Sequence, residues 1–195
     1  MVEAVRIFKR QPSFCMPACV QSAVFKLGGI IIPQMNIARE LAWLEYRGRS
    51  DQEIREWYYN VGPNPPDLVD AQKRIHPNLG VRYKWDSSLE ELEQENKAGS
   101  FAIVNYSVVR KRLEFEKGEG RNIEEEHYLC YDFHDPLQVY LGDPANPKKP
   151  MIVSHKEFYN YWRESKSELY AEDPREERHS RPPRSREAMF LSWEK

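Results

Sequence analysis

Up to about residue 80, apolar residues recur every three or four positions, which is the spacing of helices that bury one face. From Cys15 this spacing continues to Leu27 and stops at Gly28 and Gly29, which favour the end of a helix. Further helices are predicted over residues 35–46, from a Ser-x-x-Glu capping box at residues 50–53 as far as residue 59, and over residues 67–75. A short strand is predicted ahead of all of them, at residues 4–9.

After Gly80 the pattern changes to short apolar or alternating runs separated by polar turns, which is typical of strands. Strands are predicted at residues 81–85, 101–109, 127–133, 138–141 and 188–193. Helices are predicted at residues 88–97 and from Ser154 onward, where Phe158, Tyr161 and Trp162 follow at helical spacing. The charged residues 113–126 are expected to form an exposed loop or ribbon, and the polar residues 164–187 a mobile insertion before the last strand.

Helices early in the chain and strands later predict an α+β protein, with a helical lobe over residues 10–80 and an antiparallel sheet lobe over residues 81–195. We expect these two lobes to form a single domain over residues 1–195. A cleft between two such lobes is a common location for a functional site.

Composition narrows the class of protein. The 195 residues are 40% hydrophobic, enough for a core, and 31% charged with a net charge of −2, which argues against nucleic acid as the main partner. No apolar run reaches the length of a membrane span, and the first ten residues lack the apolar core of a secretory signal.

Three cysteines do not make a disulfide framework, so a reducing cytoplasm is expected. No cofactor is expected either, because no close His or Cys pair completes a metal set with Cys15 and Cys19. The pattern specifies no oligomeric state.

Cys15 lies at the predicted start of the first helix, and Pro17 supports this placement because proline is tolerated in a first helical turn. Free backbone N–H groups and the positive end of the helix dipole stabilise a thiolate, the reactive form of cysteine. A cysteine in an amphipathic helix is also a common small core residue. The position therefore makes Cys15 a candidate nucleophile that still needs a base.

The candidate bases are His76, His127, His134, His155 and His179. Only His127 opens a strongly apolar strand. If the next turn is centred on residues 135 and 136, facing residues have numbers that add to about 271, and His127 then lies opposite residue 144. Asp143 is one place away, and cross-strand neighbours about 4.5–5.5 Å apart at Cβ are close enough for a His–Asp hydrogen bond. Asp143 would then orient His127, which would take the thiol proton.

Two alternatives remain for these residues. The Asp-Pro pair at residues 143–144 is a common turn sequence, and His134 with Asp135 is a second candidate dyad. Gln11, four residues before Cys15, is either a polar loop residue or an amide donor to a developing oxyanion.

Together these residues resemble the C39-like peptidases, papain-fold cysteine peptidases that include the bacteriocin leader-processing proteases. The sequence RQPSFCMPA at residues 10–18 resembles the family's Q…C-G-P-A opening, with Met16 in place of glycine. A histidine that opens an apolar strand, an Asp-Pro pair sixteen residues later, a helix of S-x-x-E-F…W type and a closing strand follow in the family's order.

The resemblance implies a free-standing C39-like cysteine peptidase with an N-terminal helical lobe that carries the nucleophile. It implies that Cys15 is the nucleophile, His127 the base and then the acid, Asp143 the orienting residue and Gln11 the oxyanion donor. The implied reaction is hydrolysis of a peptide or protein substrate through a thioester. The same residues could instead serve a deamidase, an acyltransferase or an isopeptidase, or a binding module that keeps the fold without turnover.

Overall fold

The structure is a computed structural model that describes residues 6–12, 14–43, 48–60, 62–63, 65–113, 120–163 and 186–194. The helices are α1 (Cys15–Gly28), α2 (Gln34–Leu41), α3 (Asp51–Asn60), α4 (Pro65–Ile75), α5 (Leu89–Lys97) and α6 (His155–Arg163). The strands are β1 (Leu79–Lys84), β2 (Phe101–Leu113), β3 (Gly120–His134), β4 (Gln138–Gly142), β5 (Met151–Ser154) and β6 (Ala188–Trp193). Helices α1 to α4 precede the first strand, and α5 and α6 lie between strands along the chain.

Local sequence signals set several helix ends. Gly29 has a φ of 68°, in the left-handed region that favours glycine, and its N–H donates to the carbonyl of Phe25 at 2.9 Å, which ends α1. The predicted capping box is present before α3, where Ser50 N–H donates to the Glu53 carboxylate at 2.8 Å and Glu53 N–H donates to Ser50 Oγ at 3.3 Å. Ser88 Oγ accepts from Glu91 N–H at 3.2 Å and caps α5.

The strands form one antiparallel six-stranded sheet in the order β1-β6-β2-β3-β4-β5. Strand β3 therefore lies inside the sheet, between β2 and β4, and β5 lies at an edge. This arrangement confirms the predicted α+β class.

Side chains of the central strands alternate between two cores. Ile103 and Cys130 contribute to the core that also contains buried residues of α1 to α4. Their neighbours Val104 and Leu129 contribute to a second core, which contains Phe158 and other buried residues of α5 and α6. The sheet thus has helices against both faces, with α1 packed on the face that holds Cys130.

Several predictions from the sequence need correction. Residues 6–9 of the predicted first strand form no strand, because side chains rather than a neighbouring strand bind their backbone. Of the two forms expected for residues 113–126, a loop or a ribbon, residues 120–126 form the ribbon, since they belong to β3 and pair with β2. Strand β5 was not predicted, and α2 ends at Leu41. Residues 114–119 and most of the polar insertion, residues 164–185, lie outside the described residues, as do residues 44–47.

Within the described ranges, none of the helices combines the length and the apolar character that a membrane crossing requires. Met16, the departure from the family's glycine, is fully buried in the first core.

Candidate active site

Cys15 is the first residue of α1, as the sequence predicted. The preceding residue, Phe14, is fully buried, and its N–H donates to the carbonyl of Gln11 at 3.0 Å, which turns the chain into the helix. The thiol is half-buried and lies at the positive end of the helix dipole, beside N–H groups that have no partner within the helix. This location favours the thiolate form.

His127 lies between Cys15 and Asp143. Its Nε2 is 2.7 Å from Oδ1 of Asp143, and the Cys15 thiol is near enough for each group to shift the pKa of the other. Because Asp143 occupies Nε2, Nδ1 is the ring nitrogen left for the thiol. Only 3% of His127 is exposed, so solvent has little access to its contact with Asp143. The structure thus brings Cys15, His127 and Asp143 together.

The two titrating groups shift each other's pKa in opposite directions. Burial raises the pKa of the Cys15 thiol, but the hydrogen bond and the positive charge of His127 outweigh burial, and the net pKa is lowered. Burial lowers the pKa of His127, but the hydrogen bonds with Asp143 and Cys15 outweigh it, and the net pKa is raised. Both shifts favour a thiolate beside an imidazolium.

Asp143 follows directly after β4 and is itself held in place. Its Oδ1 accepts from the N–H of Ala145 at 2.7 Å, and its carbonyl accepts from the N–H of Asn146 at 2.9 Å. The Asp-Pro pair is therefore part of a turn, as the alternative interpretation held, and its carboxylate also reaches His127. The turn is what fixes the carboxylate near the imidazole.

The register of the hairpin is offset by one or two positions from the predicted one. Cys130 faces Gly142 and His134 faces Val139, so the numbers of paired residues add to 272 and then to 273 on the two sides of an irregularity between Tyr131 and Phe133. The pairing ends at Cys130 and Gly142, and Asp143 reaches His127 from the turn that follows β4.

Gln11 lies in the segment that leads into α1. Its backbone N–H donates to Oε1 of Gln34 at 2.9 Å, while its side-chain Oε1 is buried without a hydrogen-bond partner. Within the described part of the chain, its Nε2 donates to no acceptor. Among the described residues, a side-chain N–H donor four residues before the thiol is therefore left without an acceptor.

Arg10 was not predicted to contribute to the site. Its positive charge lowers the pKa of Cys15, after the larger contributions of burial and of His127. Its backbone N–H donates to the carbonyl of Pro144 at 2.8 Å, which ties the segment before Cys15 to the turn after Asp143. An arginine next to Gln11 was visible in the sequence, but this contact across the fold was not.

The second candidate dyad is not assembled. The Tyr131 hydroxyl and His134 Nδ1 are 2.7 Å apart, whereas Oδ1 of Asp135 accepts from the N–H groups of Leu137 and Gln138 at 2.8 Å each. These contacts close the hairpin turn. His155 Nε2 is bonded to the Asp135 carbonyl, and His179 lies outside the described residues.

The two other thiols are structural. Cys19 and Cys130 are buried, and the Cys19 thiol donates to the carbonyl of Tyr128 at 3.3 Å. Burial, followed by the hydrogen bond with Cys130, raises the pKa of Cys19 well above its usual value. Cys19 is therefore protonated at neutral pH, and its pKa is shifted in the opposite direction to that of Cys15. Among the described residues, no group of three or more His, Cys, Asp or Glu side chains is arranged to hold a metal ion.

Two adjoining grooves border Asp143. The larger has a volume of about 480 Å³, and the smaller, of about 180 Å³, extends toward Ile7 and Cys130. Both are lined in part by Asp143, Lys149 and Pro150. Neither groove is lined by Cys15 or His127, so they adjoin the site only through Asp143.

Comparison of the fold with solved structures identifies its class. The peptidase domain of Streptococcus ComA, a bifunctional ABC transporter involved in a quorum sensing pathway, superposes with a TM-score of 0.56 and 18% identity, over 97% of this chain and 99% of that one. A protein described as a C39-like peptidase from Bacillus anthracis superposes with a TM-score of 0.57 and 15% identity, over 96% of this chain and 94% of that one. The chain thus has the papain-like fold of C39 peptidase domains.

Sequence comparisons add nothing to this assignment, since no family model and no curated protein matches the chain.

Proposed function

We propose that this protein is a cysteine peptidase that cleaves peptide or amide bonds with Cys15, His127 and Asp143 as its catalytic set. The observation that carries the proposal is the hydrogen bond of buried His127 to Asp143, together with the thiol at the α1 N-terminus whose pKa His127 lowers. The fold supports the proposal, since its structural neighbours are peptidase domains. The order thiol, imidazole, carboxylate is the order that nucleophilic catalysis requires.

In the proposed first step, the Cys15 thiolate attacks the substrate carbonyl, and a carbon–sulfur bond forms as the carbonyl oxygen becomes an oxyanion. The Cys15 backbone N–H and the side-chain amide of Gln11 would stabilise that oxyanion. The His127 imidazolium then gives its proton to the departing amine as the carbon–nitrogen bond breaks, which leaves a thioester on Cys15.

In the second step, neutral His127 takes a proton from water, and the resulting hydroxide attacks the thioester carbonyl. The carbon–sulfur bond then breaks, which releases the carboxylic acid product and restores the Cys15 thiolate beside the His127 imidazolium. Asp143 keeps Nε2 protonated through both steps, so that Nδ1 exchanges the proton with the thiol, the leaving amine and water. A thiolate nucleophile and three unpaired cysteines suit a reducing compartment, and we propose the cytoplasm.

The first test measures the rate of Cys15 alkylation by iodoacetamide as a function of pH, in the native protein and in His127→Ala. We expect rapid alkylation at neutral pH in the native protein and a slower thiol in the variant, because His127 lowers the Cys15 pKa more than any other group does. A slow native thiol that is indifferent to His127 would contradict the catalytic assignment.

The second test asks for peptide cleavage. A mixture of unstructured peptides is incubated with the native protein or with Cys15→Ala, and newly formed N-termini are identified by mass spectrometry. Termini that depend on Cys15 support a peptidase. A reactive thiol that forms acyl-enzymes but releases no new termini would instead assign the same site to deamidation or acyl transfer.

A further inference from the structure

The side-chain amide of Gln34, the first residue of α2, binds the backbone of the segment that leads into Cys15. Its Nε2 donates to the carbonyl of Lys9 at 2.9 Å, and its Oε1 accepts from the N–H of Gln11 at 2.9 Å. A carbonyl and an N–H two residues apart are the pair of groups that a neighbouring strand would bind in a sheet. Gln34 thus takes the place of a strand partner for residues 9–11.

A second buried glutamine, Gln21, fixes the orientation of the Gln34 side-chain amide. Only 6% of Gln34 is exposed, and its Nε2 also donates to Oε1 of Gln21 at 3.0 Å. Gln21 is equally buried, and its own Nε2 donates to the carbonyl of Ile32 at 2.7 Å. Reversal of the Gln34 amide would set its oxygen against the Lys9 carbonyl and its nitrogen against the Gln11 N–H. The buried glutamine pair therefore allows one arrangement of the amide.

Two backbone hydrogen bonds also hold residues 9–11, one on the side away from Gln34 and one at the end nearest Cys15. The N–H of Arg10, between the two groups that Gln34 binds, donates to the carbonyl of Pro144, and the carbonyl of Gln11 accepts from the N–H of Phe14. Gln34 is thus one of three attachments that set the place of Gln11 relative to Cys15 and to the turn that carries Asp143. It is the attachment that acts directly on the Gln11 N–H.

We propose that Gln34 is a positioning residue that holds Gln11 where its uncommitted side-chain N–H can donate to the oxyanion formed at Cys15. This inference rests on the proposed function. Without Gln34, the Gln11 N–H and the Lys9 carbonyl lose their partner, and the segment has no strand to replace it. Displacement by about 1 Å is enough to cost on the order of 10²-fold in rate when a catalytic group must meet a charge that develops only in the transition state.

The test compares two reactions of the same thiol. Iodoacetamide alkylation displaces iodide at a saturated carbon and forms no oxyanion, so its rate reports the thiolate alone. Acylation by p-nitrophenyl acetate passes through an oxyanion: the thiolate adds to the ester carbonyl, the carbon–oxygen bond breaks, and p-nitrophenolate leaves with the negative charge. The ratio of the acylation rate to the alkylation rate isolates oxyanion stabilisation. Cys15→Ala supplies the blank for acylation elsewhere on the protein.

In Gln34→Leu we expect the acylation rate to fall on the order of 10²-fold, while the alkylation rate and its pH profile stay as in the native protein. Gln72→Leu is the matched control, because the Gln72 amide likewise accepts from a backbone N–H, that of Val81 at 2.6 Å, and donates to a backbone carbonyl, that of Val69 at 2.8 Å, but makes no contact with residues 9–11. Its acylation-to-alkylation ratio should fall much less. Equal losses in the two variants, or a Gln34→Leu loss shared by alkylation, would overturn the proposal in favour of a general packing role.

A double-mutant cycle with Gln11→Ala gives an independent readout. If Gln34 acts through the Gln11 side chain, Gln11→Ala already removes the benefit, and adding Gln34→Leu lowers acylation little further. Additive losses would overturn the proposal. If Gln34→Leu fails to fold, Gln34→Glu replaces it: the ionised carboxylate still accepts from Gln11 N–H but cannot donate to Lys9, so the ratio should fall at neutral pH and recover as the carboxyl is protonated.

The failure of this inference is distinct from the failure of the proposed function. A native protein that is alkylated rapidly but shows no Cys15-dependent burst of p-nitrophenolate would overturn both. A native burst that Gln34→Leu leaves unchanged would overturn only the role of Gln34.

Discussion

The side chain of Ile7 lies so close to Gly142 that a β-carbon at position 142 would be 2.5 Å from Cδ1 of Ile7. Gly142 is the last residue of β4 and directly precedes Asp143. The close approach lets the segment before α1 pack over the end of β4, beside the carboxylate that binds His127.

Gly142→Ala should therefore destabilise the protein by about 1–3 kcal/mol, because an added methyl group must displace Ile7 or the end of β4. We also expect slower Cys15 alkylation, since a shift of β4 moves Asp143 away from His127. Denaturant unfolding and alkylation kinetics check the two effects. The double variant Ile7→Ala/Gly142→Ala, in which the new methyl group has space, should regain the native alkylation rate; failure to do so would contradict the steric explanation.

The pH dependence of Cys15 follows from the two opposite pKa shifts. As pH rises through the lowered pKa of Cys15, the thiolate forms and alkylation accelerates, at a lower pH than for an ordinary thiol. Peptidase turnover should rise at the same point and fall again as pH passes the raised pKa of His127, because the imidazolium that protonates the leaving amine is lost. The two midpoints belong to the coupled pair.

Asp143→Ala should narrow, from both sides, the pH range over which a Cys15 thiolate lies beside a His127 imidazolium. Without the carboxylate, the pKa of His127 falls, the thiolate loses its cationic neighbour at lower pH, and the onset of alkylation moves upward. Turnover should drop by about 10²-fold or more, within the range that positioned acid–base groups contribute. Asp135→Ala is the matched control, since that carboxylate closes the hairpin turn and should leave the onset unchanged. An unchanged onset in Asp143→Ala would count against its orienting role.

Only one of the three cysteines should react quickly in the folded protein. Cys19 and Cys130 are buried, and burial is the first cause of the raised pKa of Cys19, so both should be labelled only on unfolding. Mass spectrometry after brief treatment with iodoacetamide at neutral pH should find a single modification, at Cys15. Rapid labelling of Cys19 in the native protein would contradict the packing of α1 on β3.

The cap of α5 offers a test that separates stability from chemistry. Ser88→Ala removes the oxygen that accepts from Glu91 N–H and should lower the free energy of unfolding by about 1 kcal/mol. Helix α5 packs in the core on the face of the sheet opposite α1, so alkylation of Cys15 should keep its native rate. Ser88→Thr should retain most of the stability. Loss of thiol reactivity in Ser88→Ala would show that the two faces are coupled.

The elements near Cys15 were predictable because their signals are local. The helix from Cys15 is marked by apolar spacing and by Gly28 and Gly29 at its end, and the structure places α1 within those limits. His127 was singled out by the apolar run that follows it, and it is buried in β3.

What the sequence did not reveal depends on contacts between distant segments. The irregularity between Tyr131 and Phe133 shifts the hairpin register, and neither residue type signals it. Residues 6–9 alternate as a strand does, yet their backbone is bound by the side chains of Ser22 on α1 and Gln34 on α2, and neither residue has a distinguishing spacing. The pattern of apolar residues predicts which helices and strands form. The hairpin irregularity and the contacts of residues 6–9 instead depend on which distant segments pack together.

The hydrogen bond between Cys19 and Tyr128 joins residues 109 positions apart in the chain, and the contact between Cys15 and His127 spans a similar interval. Closing so long a loop costs chain entropy that local helix formation does not, so this contact should form late during folding. A refolding chain will then regain the circular dichroism signal of its helices before the Cys15 thiol becomes reactive. The time at which Cys15 becomes rapidly alkylated therefore reports the last stage of folding. A nascent chain has no activated thiol until β3 has been synthesised and has packed against α1.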